Sequence, residues 1–104
     1  MWDEESMRWA IYDLLLDYRD ILWRAIEHEE KHANDPNYLG WKWYDVKAHP
    51  AQLMKLVNEN LIEISFRNSK GTYYKLVDRE LTKKCLEFFR SREKVMEWLK
   101  KYNL

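Results

Sequence analysis

From Glu4 to about Ala33, apolar residues recur at the spacing of one helical face. Met7, Ile11, Leu14, Leu15, Tyr18, Leu22 and Ile26 form the stripe, and Trp9, Tyr12, Leu16 and Trp23 widen it. No Gly or Pro interrupts, so the pattern predicts a single long helix over residues 4–33. The segment NDPNYLG (34–40) then gathers Asn, Asp, Pro and Gly into a stop signal. WKWYDV (41–46) is short and aromatic and fits either a strand or a brief helix. HPAQLMKLVNENLI (49–62) carries Pro50 at a first helical turn and a stripe of Leu53, Leu56, Val57 and Leu61. Asn60 falls where that helix would end in a left-handed residue. IEISF (62–66) and TYYKLV (72–77) are β-branched and aromatic, and the RNSKG between them predicts a hairpin with Gly71 in its turn. Beyond Asp78, an N-cap residue, the helical period returns through Leu81, Cys85, Phe88, Phe89, Val95, Trp98 and Leu99. It predicts one helix over 78–103.

At 104 residues the chain suits one domain with a modest core. Charged residues make up 35% of it, which gives a heavily solvated surface around that core. The zero net charge hides an asymmetry. Residues 1–39 hold four Lys/Arg against ten Asp/Glu, whereas residues 40–79 and 80–104 each hold seven against four. An acidic front and a basic middle and tail predict a polarised surface. No apolar run approaches the roughly 20 residues of a membrane helix, and MWDEESMR does not read as a signal peptide. The single Cys85 excludes an internal disulfide and fits a reducing cytoplasm.

One stretch spells a catalytic motif. HEEKH (28–32) is H-E-x-x-H, which on a zinc-protease helix would make His28 and His32 ligands and Glu29 the general base. Here the intervening residues are Glu30 and Lys31, the run falls at a helix end, and His49 is the one other histidine. A solvated helix terminus, with His residues favourable against the helix dipole, explains the pattern without a metal. Cys85 lies on an apolar stripe and reads as packing. With no Gly-rich phosphate loop either, the sequence predicts no catalytic residues, no metal, no cofactor and no enzyme.

LMKLVNENLIEISFRNSKGTYYKLVDREL resembles the distal half of a winged helix-turn-helix domain, in the style of small bacterial and archaeal repressors of the arsenic-repressor and multiple-antibiotic-resistance-regulator types. Leu53-Met54-Lys55-Leu56-Val57 to Asn60-Leu61-Ile62 matches the helix and its exit, Lys70-Gly71 the basic wing, and Tyr73-Tyr74-Lys75-Leu76 the returning strand. Asn60 stands where that family usually has glycine. The preceding helix of the motif has only about Trp43 to Ala48 to occupy. The resemblance implies an α+β fold in one domain over 1–104: a long first helix, helix-turn-helix plus wing over 41–77, and a last helix over 78–103.

It also implies double-stranded DNA as partner and a role in transcription regulation. In such domains the second helix of the motif enters the major groove and the wing crosses the backbone or minor groove. The implied contacts are Lys47, His49, Gln52 and Lys55 on and before the helix, Arg67, Asn68, Ser69 and Lys70 on the wing, and Lys75. Gln52 suits adenine, and Lys55 suits guanine or phosphate. Lys42 could extend the footprint. Six Trp and seven Tyr exceed what a small core needs. Trp41 and Trp43, flanking Lys42, have the look of exposed residues that could stack bases or anchor a protein. Apolar surplus on the terminal helices predicts a homodimer through them. The alternative is a winged helix serving as a protein-interaction module or as an accessory domain of a replication or repair assembly. The residues name no small-molecule effector.

Overall fold

Asp3 opens the first helix, its carboxylate accepting from the backbone N–H of Ser6, and α1 runs over Glu4–Tyr12. In the computed structural model, which describes residues 1–103, six further elements follow. They are α2 (Leu15–Lys31), α3 (Pro50–Asn58), β1 (Ile62–Asn68), β2 (Gly71–Leu76), α4 (Arg79–Phe88) and α5 (Arg92–Lys100). The architecture is α+β: five helices and one two-stranded antiparallel hairpin. No helix among the described residues is long and apolar enough to cross a membrane.

The expected single helix over 4–33 is two. The chain turns at Asp13 and Leu14, where the Leu14 N–H bonds back to Ile11 O in a tighter turn. A straight rod of that length would span about 45 Å. The break instead lets α1 lie on α4 while α2 packs against both β2 and α4. Met7, Ile11, Leu14, Leu22 and Ile26 are buried as the stripe requires, joined by Ile21 and Ala25, whereas Leu16 is 96% exposed. The expected helix over 78–103 is also divided, at Phe89 to Ser91. Asp78 caps α4 as anticipated, and Ser91 caps α5 through the Lys94 N–H. That second start is legible as a Ser followed by Arg-Glu, and periodicity alone runs across it.

Between these helices the local signals hold. His49 and Gln52 form a reciprocal capping box at the start of α3, with Pro50 in its first turn. Leu53, Leu56 and Leu61 are buried, and Asn60 adopts φ 61°, the left-handed exit that turns the chain into β1. The hairpin pairs Ile62 with Leu76 and Asn68 with Gly71, leaving Ser69 and Lys70 as its tip. Ser65 is an extra residue between the Ile64–Tyr74 and Phe66–Tyr73 pairs, a bulge in β1.

The segment 41–46 is neither a full strand nor a helix. Trp41 alone pairs with Tyr74, exchanging both backbone hydrogen bonds at 2.9 and 2.8 Å, and turns occupy the next residues. Gly40 makes this approach possible. It holds φ 126°, and a side chain there would collide with Tyr74 O and Ser65 Oγ.

Candidate nucleic-acid interface

Glu29 anchors the base of the hairpin. It belongs to HEEKH, expected as a solvated helix end, yet it is only 6% exposed. Its Oε2 accepts from the Trp41 indole N–H at 2.9 Å and from the Leu76 backbone N–H at 2.7 Å, and Arg79 lies 3.9 Å from Oε1. Burial pushes this carboxyl above its ordinary range, against those hydrogen bonds. One side chain of α2 thus ties down both Trp41 and β2. Sequence reasoning misses it because a charged residue at a charged helix end carries no sign of burial.

The two histidines of the motif are engaged with protein. His28 Nδ1 hydrogen-bonds the Tyr38 hydroxyl at 2.8 Å, and its Nε2 lies 3.7 Å from Asp45. His32 Nδ1 bonds the His28 carbonyl oxygen, and its ring stacks on Tyr38 at 5.0 Å. Burial lowers the His28 pKa and raises that of Tyr38. Among the described residues, no three His, Cys, Asp or Glu side chains are grouped to hold a metal ion. Cys85 is buried, its thiol pushed up to about 11 by that burial.

The residues expected to meet DNA fall into two groups. Arg67, Asn68, Ser69 and Lys70 are brought together as the exposed hairpin tip, where Asn68 Oδ1 accepts from the Lys70 N–H and shapes the turn. Lys42 joins them: its Nζ donates to Lys70 O at 3.0 Å and lies 4.8 Å from the centre of the Tyr73 ring and 5.8 Å from that of Tyr44. None of Lys42, Arg67 and Lys70 forms an ion pair among the described residues, whereas Arg8, Lys55, Arg79, Lys83 and Lys84 all do.

The α3 group is largely committed elsewhere. Gln52 spends its carboxamide oxygen on the His49 N–H, and His49 Nδ1 accepts from the Ala51 N–H. Lys55 pairs with Glu59 at 3.0 Å, and both line a cleft with Asp13 and Asp17 of the α1–α2 junction, an acidic neighbourhood. The outward edge of α3 is instead Ala51, Met54 and Asn58 beside Lys55, with Met54 56% exposed. Lys55 thus lies on the outward face as expected, while His49 and Gln52 are occupied by the helix cap. Lys47 is exposed with φ 53° in the turn before α3. Lys75 faces away from the tip, its Nζ 5.5 Å from the Tyr38 ring centre.

The aromatics around Lys42 also divide. Trp41 fills the core under the hairpin, fully buried and stacked on Tyr74, while Trp43 and Tyr44 are 54% and 55% exposed. Phe66 is 43% exposed and faces Tyr73 across the strands at 6.1 Å. Neither Phe66 nor Tyr73 stands out in the sequence, where both read as ordinary strand residues. The available signal is Phe66 directly beside Arg67. In comparisons with known proteins, no family model, curated protein or solved structure matches this chain.

Proposed function

We propose that the protein binds double-stranded DNA as a winged-helix-like module, with the β1–β2 hairpin as wing and α3 as the helix turned toward the duplex. The observation that carries this reading is the collection of unpaired cations, Lys42, Arg67 and Lys70, at an exposed hairpin tip. Phosphate contacts of this kind dominate affinity for nucleic acid. The chain order supports the helix-to-wing half, since α3 leaves through Asn60 directly into β1. The expected first helix of the motif at 43–48 is replaced by turns, so only that half of the resemblance is matched. Gln52 is held in the α3 cap and Lys55 is paired at the surface with Glu59, so sequence reading rests on Lys47 and the exposed edge of α3, and the wing supplies most of the affinity. Regulation of transcription is the role such binding would serve.

The test is salt dependence. Replacing Arg67 or Lys70 by Ala is expected to weaken binding to all duplexes. The slope of log K against log salt should flatten by about 0.9 for each phosphate no longer neutralised. An unchanged slope in both variants removes the wing from the interface.

A second reading is favoured by a specific observation. Trp43, Tyr44, Met54, Ile64 and Phe66 are all exposed on the hairpin and the elements beside it, the composition of a protein-binding surface. On that reading the module docks a protein within a larger assembly, such as one for replication or repair. For a homodimer through the terminal helices, Trp98 is buried against Trp9 within one chain, and Tyr12, Leu16, Met96 and Tyr102 are the apolar side chains left exposed there.

A further inference from the structure

The hairpin holds more than cations. Trp43 and Tyr44 meet edge to face at 5.5 Å, and Phe66 and Tyr73 sit side by side across the strands. Lys42, set between Tyr44 and Tyr73, joins the two pairs into one row. Among the described residues no further ring covers any of the four. The core takes its aromatic filling from the neighbouring positions, Trp41 and Tyr74, because successive strand residues point to opposite faces. Duplex phosphates need only the cations. The open rings are unused by that contact.

We propose that this row of rings receives unpaired bases, so that the preferred ligand is a duplex carrying a single-stranded extension. The inference rests on the reading that the hairpin contacts nucleic acid, and it names which nucleic acid. Charge complementarity selects the occupant. Lys42 lies against the Tyr44 and Tyr73 rings and reaches Lys70 O, and Arg67 follows Phe66 on the other face of the same strand. The nearby Asp45 is partly buried and accepts from the Lys42 backbone N–H, while Glu63 lies opposite Lys75 at the far end of the hairpin. A single strand sets phosphates on such cations and stacks bases on such rings, whatever its sequence. The bulge at Ser65 shapes the surface by carrying Phe66 into register with Tyr73.

The experiment uses the full chain and three labelled DNAs: a blunt duplex, the same duplex with an oligo-dT extension, and the same duplex with an abasic extension of equal length. Fluorescence anisotropy is expected to show the oligo-dT extension bound about tenfold more tightly than the blunt duplex, and the abasic extension bound nearly like the blunt duplex. Phe66→Ala and Trp43→Ala should each remove most of the oligo-dT gain while leaving blunt-duplex affinity unchanged. Phe66→Leu, which keeps an apolar strand residue, should do the same as Phe66→Ala and serves if the smaller side chain costs the fold. Arg67→Ala should weaken all three DNAs alike. Equal binding of the oligo-dT and abasic extensions, or full oligo-dT gain in the ring variants, overturns the base-stacking proposal and leaves duplex binding intact. If none of the DNAs binds at low salt, both readings fall and the surface belongs to a protein partner.

Discussion

Two aromatic clusters of similar composition lie in this chain, and they are used in opposite ways. Between the terminal helices, Trp9, Tyr12, Phe89, Trp98 and Tyr102 close on one another, with Trp9 and Trp98 only 4.4 Å apart. Two of their polar atoms share one acceptor beside the cluster. Glu5 accepts from both the Trp98 indole and the Tyr102 hydroxyl, and Arg8 lies over Phe88. At the hairpin, Trp43, Tyr44 and Phe66 stay exposed and Tyr73 is half-buried under Lys42, beside cations without an ion pair. The difference teaches that a surplus of Trp and Tyr says nothing by itself about partners. What decides is whether a neighbouring element packs on the rings. In the first cluster α5 brings the buried Trp98 onto Trp9 and Phe89, with Tyr12 and Tyr102 at the rim, whereas the hairpin rings meet only one another and Lys42 among the described residues.

The sharpest way to break that contrast is to truncate one tryptophan in each cluster. Trp98→Ala should destabilise the fold by about 3–5 kcal/mol, because a buried ring is lost from a packed site. Trp43→Ala should stay within about 0.5 kcal/mol, the usual range for an exposed side chain. Urea unfolding of the two variants measures both. Comparable losses would mean that the hairpin rings are structural too.

Next in size is the anchor that holds the hairpin to α2. Glu29→Ala leaves the Trp41 indole and the Leu76 N–H without an acceptor and should cost about 2–4 kcal/mol. Glu29→Gln keeps an acceptor oxygen and should cost less. The pH dependence separates charge from hydrogen bonding. Because burial raises the folded-state pKa of Glu29, its ionisation disfavours folding, and the stability linked to this group is lost as pH rises through that value. The wild type should therefore lose stability relative to Glu29→Gln between mildly acidic and neutral pH. A constant difference between the two across that range would show Glu29 to be no drain on folding when charged.

The smallest expected effect lies at the rim of the terminal cluster. Hydrogen bonds, led by that from Trp98, hold the exposed Glu5 carboxyl below its ordinary range. A depressed folded-state pKa contributes stability above the unfolded value and loses it as pH falls through the folded one. Glu5→Ala should thus cost about 1 kcal/mol at neutral pH and less in acid. A cost that does not shrink on acidification would assign the loss to packing instead of charge.

The α+β class, the hairpin, the Pro50 start of α3, the Asp78 cap of α4 and the left-handed Asn60 are all legible in the residues. Each depends on interactions within a few positions, where side-chain chemistry and backbone preference speak directly. The two helix breaks are not, because a stripe of apolar residues continues through Asp13–Leu14 and through Phe89–Ser91 whether or not the axis turns. Of the expected DNA-contacting residues, the tip set Arg67 to Lys70 is placed by turn chemistry alone. Lys55 is outward as expected and pairs there with Glu59, whereas the use of Gln52 in a capping box is not revealed by its position on a helix.

Local patterning by itself thus determined which stretches are helical, the cap at Asp78 and the basic hairpin, since those follow from periodicity and short-range hydrogen bonding. Only the tertiary structure decided which charges and rings are free. Glu29 meets Leu76 across 47 positions and Trp98 meets Glu5 across 93, while Arg67 and Lys70 meet no carboxylate among the described residues. Burial and pairing are properties of neighbours in space, and no spacing along the chain encodes them.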